Sequence, residues 1–324
     1  MGARDRWMVV LAGGQGRRLR PLVEQIYGDD RPKQFTGPID GRGMLDGTLE
    51  RMRPLVPAER TIVVTVEAQR RFLPEALANH PGVQVLIQPG DRGTAAAVLW
   101  PSLLIAGQDP GAQVLVVPCD HFVGDEDGLR RQLRAAGDRY PGQPVLFGVV
   151  PESIESDYGW IELARHGHDP GDPLYGVKGF VEKPDRRLAA ECFARGDLWN
   201  TLLVLADAMT LVEVIEVAEP DLVAAFAPVY RSPTARAVEE AYAVIRAIDF
   251  SSQVLARIPG RLSAWRLPPL RWSDLGTVDR VLDRLRAEGH ETQWRTTLTS
   301  LAFDPDDGVM RRVRPAVRPG TSRH

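Results

Sequence analysis

The chain has 324 residues, 44% of them hydrophobic and 26% charged, proportions typical of a soluble globular protein with a sizeable core. Forty Lys plus Arg against 43 Asp plus Glu leave a formal net charge of -3, which gives no global attraction to nucleic acid or an anionic membrane. Two cysteines, Cys119 and Cys192, cannot make a metal cluster or a disulfide framework, and a reducing, cytoplasmic setting is the expectation.

The N-terminal apolar run WMVVLA (7–12) is too short to span a membrane and leads into glycines and arginines rather than a cleavage site. It reads instead as a first buried strand. Further buried strands are expected at TIVVTV (61–66), VQVLIQP (83–89) and QVLVVPCD (113–120), with helices at 43–52, 67–77 and 93–107 between them. This alternation predicts an α/β fold built on a single doubly wound, mostly parallel sheet, with continuous apolar strands covered on both faces. After about residue 145 the rhythm changes. VLFGVV (145–150), YGWIELA (158–164) and LYGVKGFVEKP (174–184) lie close together and suggest an antiparallel elaboration. Two helices are expected at 210–218 and 234–245, then an extended stretch at 261–270 and a last helix at 277–289. The sequence shows no repeat and no flexible linker. We expect one catalytic domain over 1–290 and a C-terminal extension over 291–324 that ends in a basic, Pro-rich tail with little to bury, expected to be disordered. The stretch 291–308 is expected either to fold back on the core or to form an interface.

The positive charge is almost all arginine. Only Lys33, Lys178 and Lys183 are lysine. Lys33 stands in RPKQF beside Arg31, so charge alone does not explain it. A compact ammonium suits a single phosphate oxygen, whereas a guanidinium prefers a flat two-point contact. The first strand opens into GGQGRRLRPL, where Gly13, Gly14 and Gly16 allow a tight turn that brings backbone N–H groups toward an anion. The spacing matches neither the dinucleotide fingerprint nor the P-loop. Asp120 follows the apolar run VLVVP, where a parallel strand would end and a carboxylate can face a ligand or hold a cation.

In chain order GGQGRRLRPL, RPKQF, QPGDRGTAAA, VVPCDH, YGWIEL, GFVEKP, LWN and WSDLG form a set that resembles the sugar-1-phosphate nucleotidyltransferases, or nucleotide-sugar pyrophosphorylases. Within that family the set looks most like the mannose-1-phosphate guanylyltransferases. The resemblance runs from about Trp7 to about Leu285. It implies the Rossmann-like nucleotide-diphospho-sugar transferase fold. It also implies transfer of a guanylyl group from GTP to mannose-1-phosphate, with Mg2+ as cofactor and release of pyrophosphate. On this resemblance Gly13, Gly14, Gly16, Arg18, Lys33, Gln88, Gly93 and Thr94 would bind the nucleotide. Tyr158, Gly159, Glu182, Lys183 and Asn200 would bind the sugar phosphate, and Asp120 and Asp274 the metal. Arg18, Lys33 and Asp120 would be catalytic. Lys178 and His121 receive no chemical role.

Three departures keep the substrate pair open. Arg17 replaces a common threonine. Leu202 replaces a glycine, and a leucine is expected to exclude a left-handed backbone there. Gly93 and Ala96 differ from the guanylyl pattern and leave UTP or dTTP, or another sugar-1-phosphate, as alternatives. A non-catalytic nucleotide-sugar-binding subunit is a further one. No nucleic-acid or membrane partner is expected, and a homodimer is left open.

Overall fold

A computed structural model describes residues 6–38, 41–164, 169, 171–289, 301–304 and 309–312. The basic tail beyond Arg312 and most of the 291–308 stretch lie outside the described residues. Among the described residues, ten α-helices and eleven strands follow one another. β1 (Arg6–Leu11), α1 (Arg20–Tyr27), α2 (Met44–Met52), β2 (Thr61–Val66), α3 (Leu73–Ala76), β3 (Gln84–Gln88), α4 (Gly93–Ala106) and β4 (Gln113–Pro118) make the first half. Next come α5 (Glu126–Asp138), β5 (Val145–Val149), β6 (Gly159–Ala164), β7 (Leu174–Glu182), α6 (Arg186–Arg195) and β8 (Leu198–Asp207). The remainder is α7 (Ala208–Ala218), α8 (Pro220–Arg231), α9 (Ala235–Val244), β9 (Ser263–Leu267), α10 (Val278–Glu288), β10 (Leu301–Asp304) and β11 (Val309–Arg312). No described helix is long and apolar enough to cross a membrane.

Nine strands form one sheet in the order β3-β2-β1-β4-β8-β5-β9-β7-β6. β3, β2, β1 and β4 are parallel, as the alternating pattern predicts. The sheet as a whole is mixed rather than mostly parallel. β8 runs antiparallel between β4 and β5, and β7 pairs antiparallel with both β9 and β6. The sequence obscures β8 because LWNTLLVLAD places polar Asn200 and Thr201 together, follows them with the unbroken apolar run 202–206 and leads straight into a helical segment, so no period marks it as a strand. Helices α1, α5, α6 and α8 are also absent from the sequence expectation, and 67–77 is a 3-10 turn followed by a single helical turn. β10 and β11 form a separate antiparallel hairpin, with β11 against α1.

Helices cover both faces. Val9, Ile62 and Val64 share one cluster with α4, α7, α8 and α9, whereas Met8, Val10 and Val63 share another with α2, α5 and α6. This is the period-two alternation of a strand buried on both sides. A smaller cluster joins Leu19, Leu22 and Val23 at the start of α1 to Leu275, Val281 and Leu285 around α10. It draws the segment before α10 over the loop that follows β1. That loop and the loop after β4 leave from adjacent parallel strands, with Leu11 opposite Pro118.

β8 carries a bulge. Leu146 pairs with Val204 but Gly148 pairs with Asn200, so the extra residues fall at 201–203. Thr201 donates to Phe147 O at 2.6 Å, and the Leu202 N–H donates to Asn200 Oδ1 at 3.1 Å. Leu202 has φ 57, so the left-handed backbone that leucine is expected to exclude is present. The bulge hydrogen bonds and the packing of the half-buried side chain on the core hold it there. Alanine normally outperforms glycine within regular structure, but a left-handed site inverts that order. We expect Leu202→Gly to be more stable than Leu202→Ala by about 1 kcal/mol in urea unfolding. Alanine more stable than glycine would contradict the left-handed assignment.

Candidate active site

The loop after β1 is held from beneath by two buried glutamines. Gln34 Nε2 donates to Ala12 O and Gly14 O, each at 2.8 Å, and to Gln69 Oε1 at 3.0 Å. Gln69 Nε2 donates to Gly13 O at 3.1 Å and Gly14 O at 2.9 Å. In a trans peptide the N–H points opposite the C=O. The N–H groups of Gly13, Gly14 and Gln15 therefore point away from the glutamines. Gly16 has φ 57, and a Cβ there would stand 3.0 Å from Lys33 N. Glycine is favoured at that crossing because the backbone is left-handed and a Cβ would crowd the Lys33 backbone on which the loop rests.

Lys33 is 6% exposed. Its Nζ sits 3.0 Å from Asp120 Oδ2 and donates to Asp274 O at 2.6 Å. The loop after β1, the end of β4 and the segment before α10 thus meet at one ammonium. Together with Arg17, Arg18 and His121 they line a cavity of about 270 Å³. Enclosure works to raise the Asp120 carboxyl, but Lys33 and then His121 lower it by more, so it stays ionised below the ordinary range. Arg18 donates to Asp157 Oδ2 at 2.9 Å with both side chains about half exposed. Arg17, a departure in the sequence, donates to Gln15 Oε1 at 2.8 Å on the same rim.

Asp274 ends a short segment before α10. Its Oδ1 accepts from the Gly276 N–H at 2.8 Å, from Tyr158 Oη at 3.1 Å and from Arg280 Nη1 at 3.1 Å. Burial, then the Asp274 carboxylate, push the Tyr158 phenol above its ordinary value, so the hydroxyl remains a donor. Tyr158 packs edge-on against Trp199 and Trp272.

A second cluster lies beside Tyr158. The Lys183 N–H donates to Tyr158 O at 3.2 Å, and its Nζ stands 3.3 Å from Glu182 Oε1. A Cβ on Gly159 would reach 2.6 Å from Glu182 Oε2 and 3.4 Å from Asn200 Cβ, so this glycine lets Glu182 and Asn200 close on the β6 backbone. Because Asn200 Oδ1 accepts from Leu202, its Nδ2 is the group left to offer. Burial raises the Glu182 carboxyl, with Lys183 lowering it and Asp249 adding to the rise. Lys183 has φ 45, a left-handed backbone at a non-glycine position.

Three residues expected at the nucleotide have structural partners. Gln88 is buried under the loop, and its Oε1 accepts from Tyr242 Oη at 2.8 Å. Gly93 has φ 79, and a Cβ there would lie 2.3 Å from Ile248 O, so the contact with Ile248 explains this departure without reference to a base. Thr94 Oγ1 accepts from the Phe250 N–H at 2.7 Å and donates to Asp249 at 3.2 Å. Lys178, on β7, pairs with Glu162 at 2.6 Å on the surface. The residues that sequence reasoning missed are Gln34, Gln69 and Arg280. An arginine in a first helical turn opposes the helix dipole and needs a carboxylate partner, and that signal was available for Arg280.

The sequence profile described as Nucleotidyl transferase matches residues 7–289. The chain belongs to the nucleotidyl transferase family. Relatives of this nucleotidyl transferase include a mannose-1-phosphate guanylyltransferase of Sinorhizobium fredii, 30% identical over 84% of this chain and 53% of its own length. Alginate biosynthesis protein AlgA of Pseudomonas fluorescens is 32% identical over 66% of this chain and 44% of its own length. The chain spans about half the length of these curated relatives. A Thermus thermophilus structure described as mannose-1-phosphate geranyltransferase has TM-score 0.73 and 31% identity, covering 86% of this chain and 79% of that one. The α/β fold also matches a UDP-glucose pyrophosphorylase structure at TM-score 0.55 and 14% identity, covering 88% of this chain and 98% of that one.

Removing the Gln34 amide would strand several loop carbonyls in a buried setting. We expect Gln34→Leu to cost the nucleotidyl transferase about 2–4 kcal/mol in urea unfolding. A loss under about 0.5 kcal/mol would show that the loop does not depend on it.

Proposed function

We propose that this chain transfers a guanylyl group from GTP to mannose-1-phosphate, forming GDP-mannose and pyrophosphate. The observation that carries the reading is the convergence of the glycine loop, Arg18, Lys33, Asp120 and Asp274 on one cavity. A phosphate oxygen of mannose-1-phosphate would attack the α-phosphorus in line. The new P–O bond forms as the bond to the β-phosphate oxygen breaks, and its electron pair leaves with pyrophosphate. No proton need move, so catalysis rests on positioning and charge.

The N–H groups of Gly13, Gly14 and Gln15 would hold the triphosphate, and Arg18 would leave Asp157 for the departing pyrophosphate. Lys33 would present its ammonium to phosphate from an anchored stem. On the other side of Tyr158, Lys183 would hold the sugar phosphate, while Glu182 and the Asn200 amide would meet sugar hydroxyls. Asp120 and Asp274 offer only oxygen donors, which suits Mg2+, and no cluster of three such ligands occurs among the described residues. Substrate phosphates would complete its shell. When bound, Mg2+ would supply positive charge against the oxygens of the transferring group.

The test is a matrix of GTP, UTP, dTTP and ATP against several sugar-1-phosphates, read as pyrophosphate release with Mg2+. We expect the GTP and mannose-1-phosphate pair to exceed the others by at least about tenfold in kcat/KM. Release from no pair would overturn the reading in favour of a non-catalytic role. Asp120→Ala should lower turnover at least about a thousandfold while the circular dichroism spectrum is kept, and near-native turnover would remove Asp120 from the mechanism.

A further inference from the structure

The Asp274 carboxylate is already held by a cation. Arg280 donates through Nη1 to Asp274 Oδ1 at 3.1 Å and Oδ2 at 3.3 Å. Its Nη2 donates to Glu155 Oε2 at 2.7 Å and stands 3.7 Å from Asp157 Oδ2. The guanidinium lies 4.3 Å over the Tyr158 ring, and the side chain is 16% exposed. Asp157 also accepts from Arg18. Three carboxylates crowded at the rim of an anion-binding cavity would repel one another without this guanidinium.

We propose that Arg280 is a positioning residue that acts as a resident counter-cation for Asp274. It keeps the carboxylate aimed, and it competes with a divalent cation for it. The inference rests on reading Asp274 as a metal ligand of a nucleotidyl transferase. The fork geometry makes the exchange feasible. One arm is on Asp274 and the other on Glu155, so the guanidinium can release Asp274 while still paired with Glu155 and stacked on Tyr158. No charge is then left buried and alone. Asp120 has an analogous partner in Lys33, but Lys33 is also tied to the Asp274 and Leu275 carbonyls and has no second carboxylate to retreat to among the described residues. Of the two cations, Arg280 is the one built to yield.

The test uses Mn2+ as probe, followed by its EPR signal on the full chain without nucleotide. Arg280→Met removes the counter-cation. Arg284→Met makes the same charge change one turn along α10, where Arg284 pairs with Glu288 and lies 5.1 Å over Phe122. We expect Arg280→Met to bind Mn2+ about tenfold more tightly than the native chain, and Arg284→Met to change affinity by no more than about twofold. The tighter binding should accompany a lower thermal midpoint, whereas damage from lost packing alone would weaken binding. Equal changes in the two variants, or none in Arg280→Met, would overturn the proposal. If Arg280→Met does not fold, Arg280→Lys keeps the charge but cannot bridge both carboxylates. It should tighten Mn2+ about threefold, and unchanged affinity would again overturn it. The pyrophosphate assay on the native chain decides the functional reading separately. Activity there with indifferent Mn2+ affinities would reject Arg280 alone.

Discussion

The ammonium of Lys33 fixes the arrangement of the candidate site. It is buried, and a buried charge is stable only when paired and hydrogen-bonded. Its partners come from distant parts of the chain, the Asp120 carboxylate after β4 and the Asp274 carbonyl before α10. The loop after β1 rests on the same residue, because Gly16 approaches the Lys33 backbone so closely that a Cβ there would crowd it. Arginine could supply the charge at this position, but its planar fork would not fit between a carboxylate and a carbonyl in so confined a place.

Around that ammonium, the candidate site is shaped by unusual backbone rather than by loops of free conformation. Lys183, Leu202 and Leu275 all hold positive φ without being glycine, and each lies within or beside the site. Leu275 follows Asp274 and offers its carbonyl to Lys33 at 3.4 Å. Leu202 orients Asn200. Lys183 hangs from Tyr158, whose hydroxyl reaches Asp274, so Tyr158 joins the two halves of the site. Left-handed residues without glycine persist where surrounding contacts over-determine them, and here those contacts are the site itself.

The parallel half of the fold was legible because its strands are short, continuous apolar runs set apart by intervening segments long enough for a crossover. The rest was hidden for identifiable reasons. β8 pairs two adjacent polar residues, Asn200 and Thr201, with an unbroken apolar run at 202–206, so no alternation announces it, and its antiparallel insertion turns a parallel sheet into a mixed one. The residues proposed for the site stand out as a set of motifs, but motifs do not record how a residue is held. Gln34 stands beside Lys33 in the same short motif, yet its role depends on Gln69, which is 35 positions away. Gly93 reads in the sequence as a statement about the base, whereas the close approach of Ile248 accounts for it. Leu202 reads there as forbidding a backbone that the bulge in fact enforces.

The claim that one buried ammonium clamps the site is tested most directly by a double-mutant cycle on Lys33→Met and Asp120→Asn, read by urea unfolding. If the pair is the clamp described here, either change alone strands a charge or its partner, and the second change relieves part of that cost. A coupling of at least about 2 kcal/mol is the expected result. Additive effects within about 0.5 kcal/mol would show that Lys33 and Asp120 are held independently, and would contradict it.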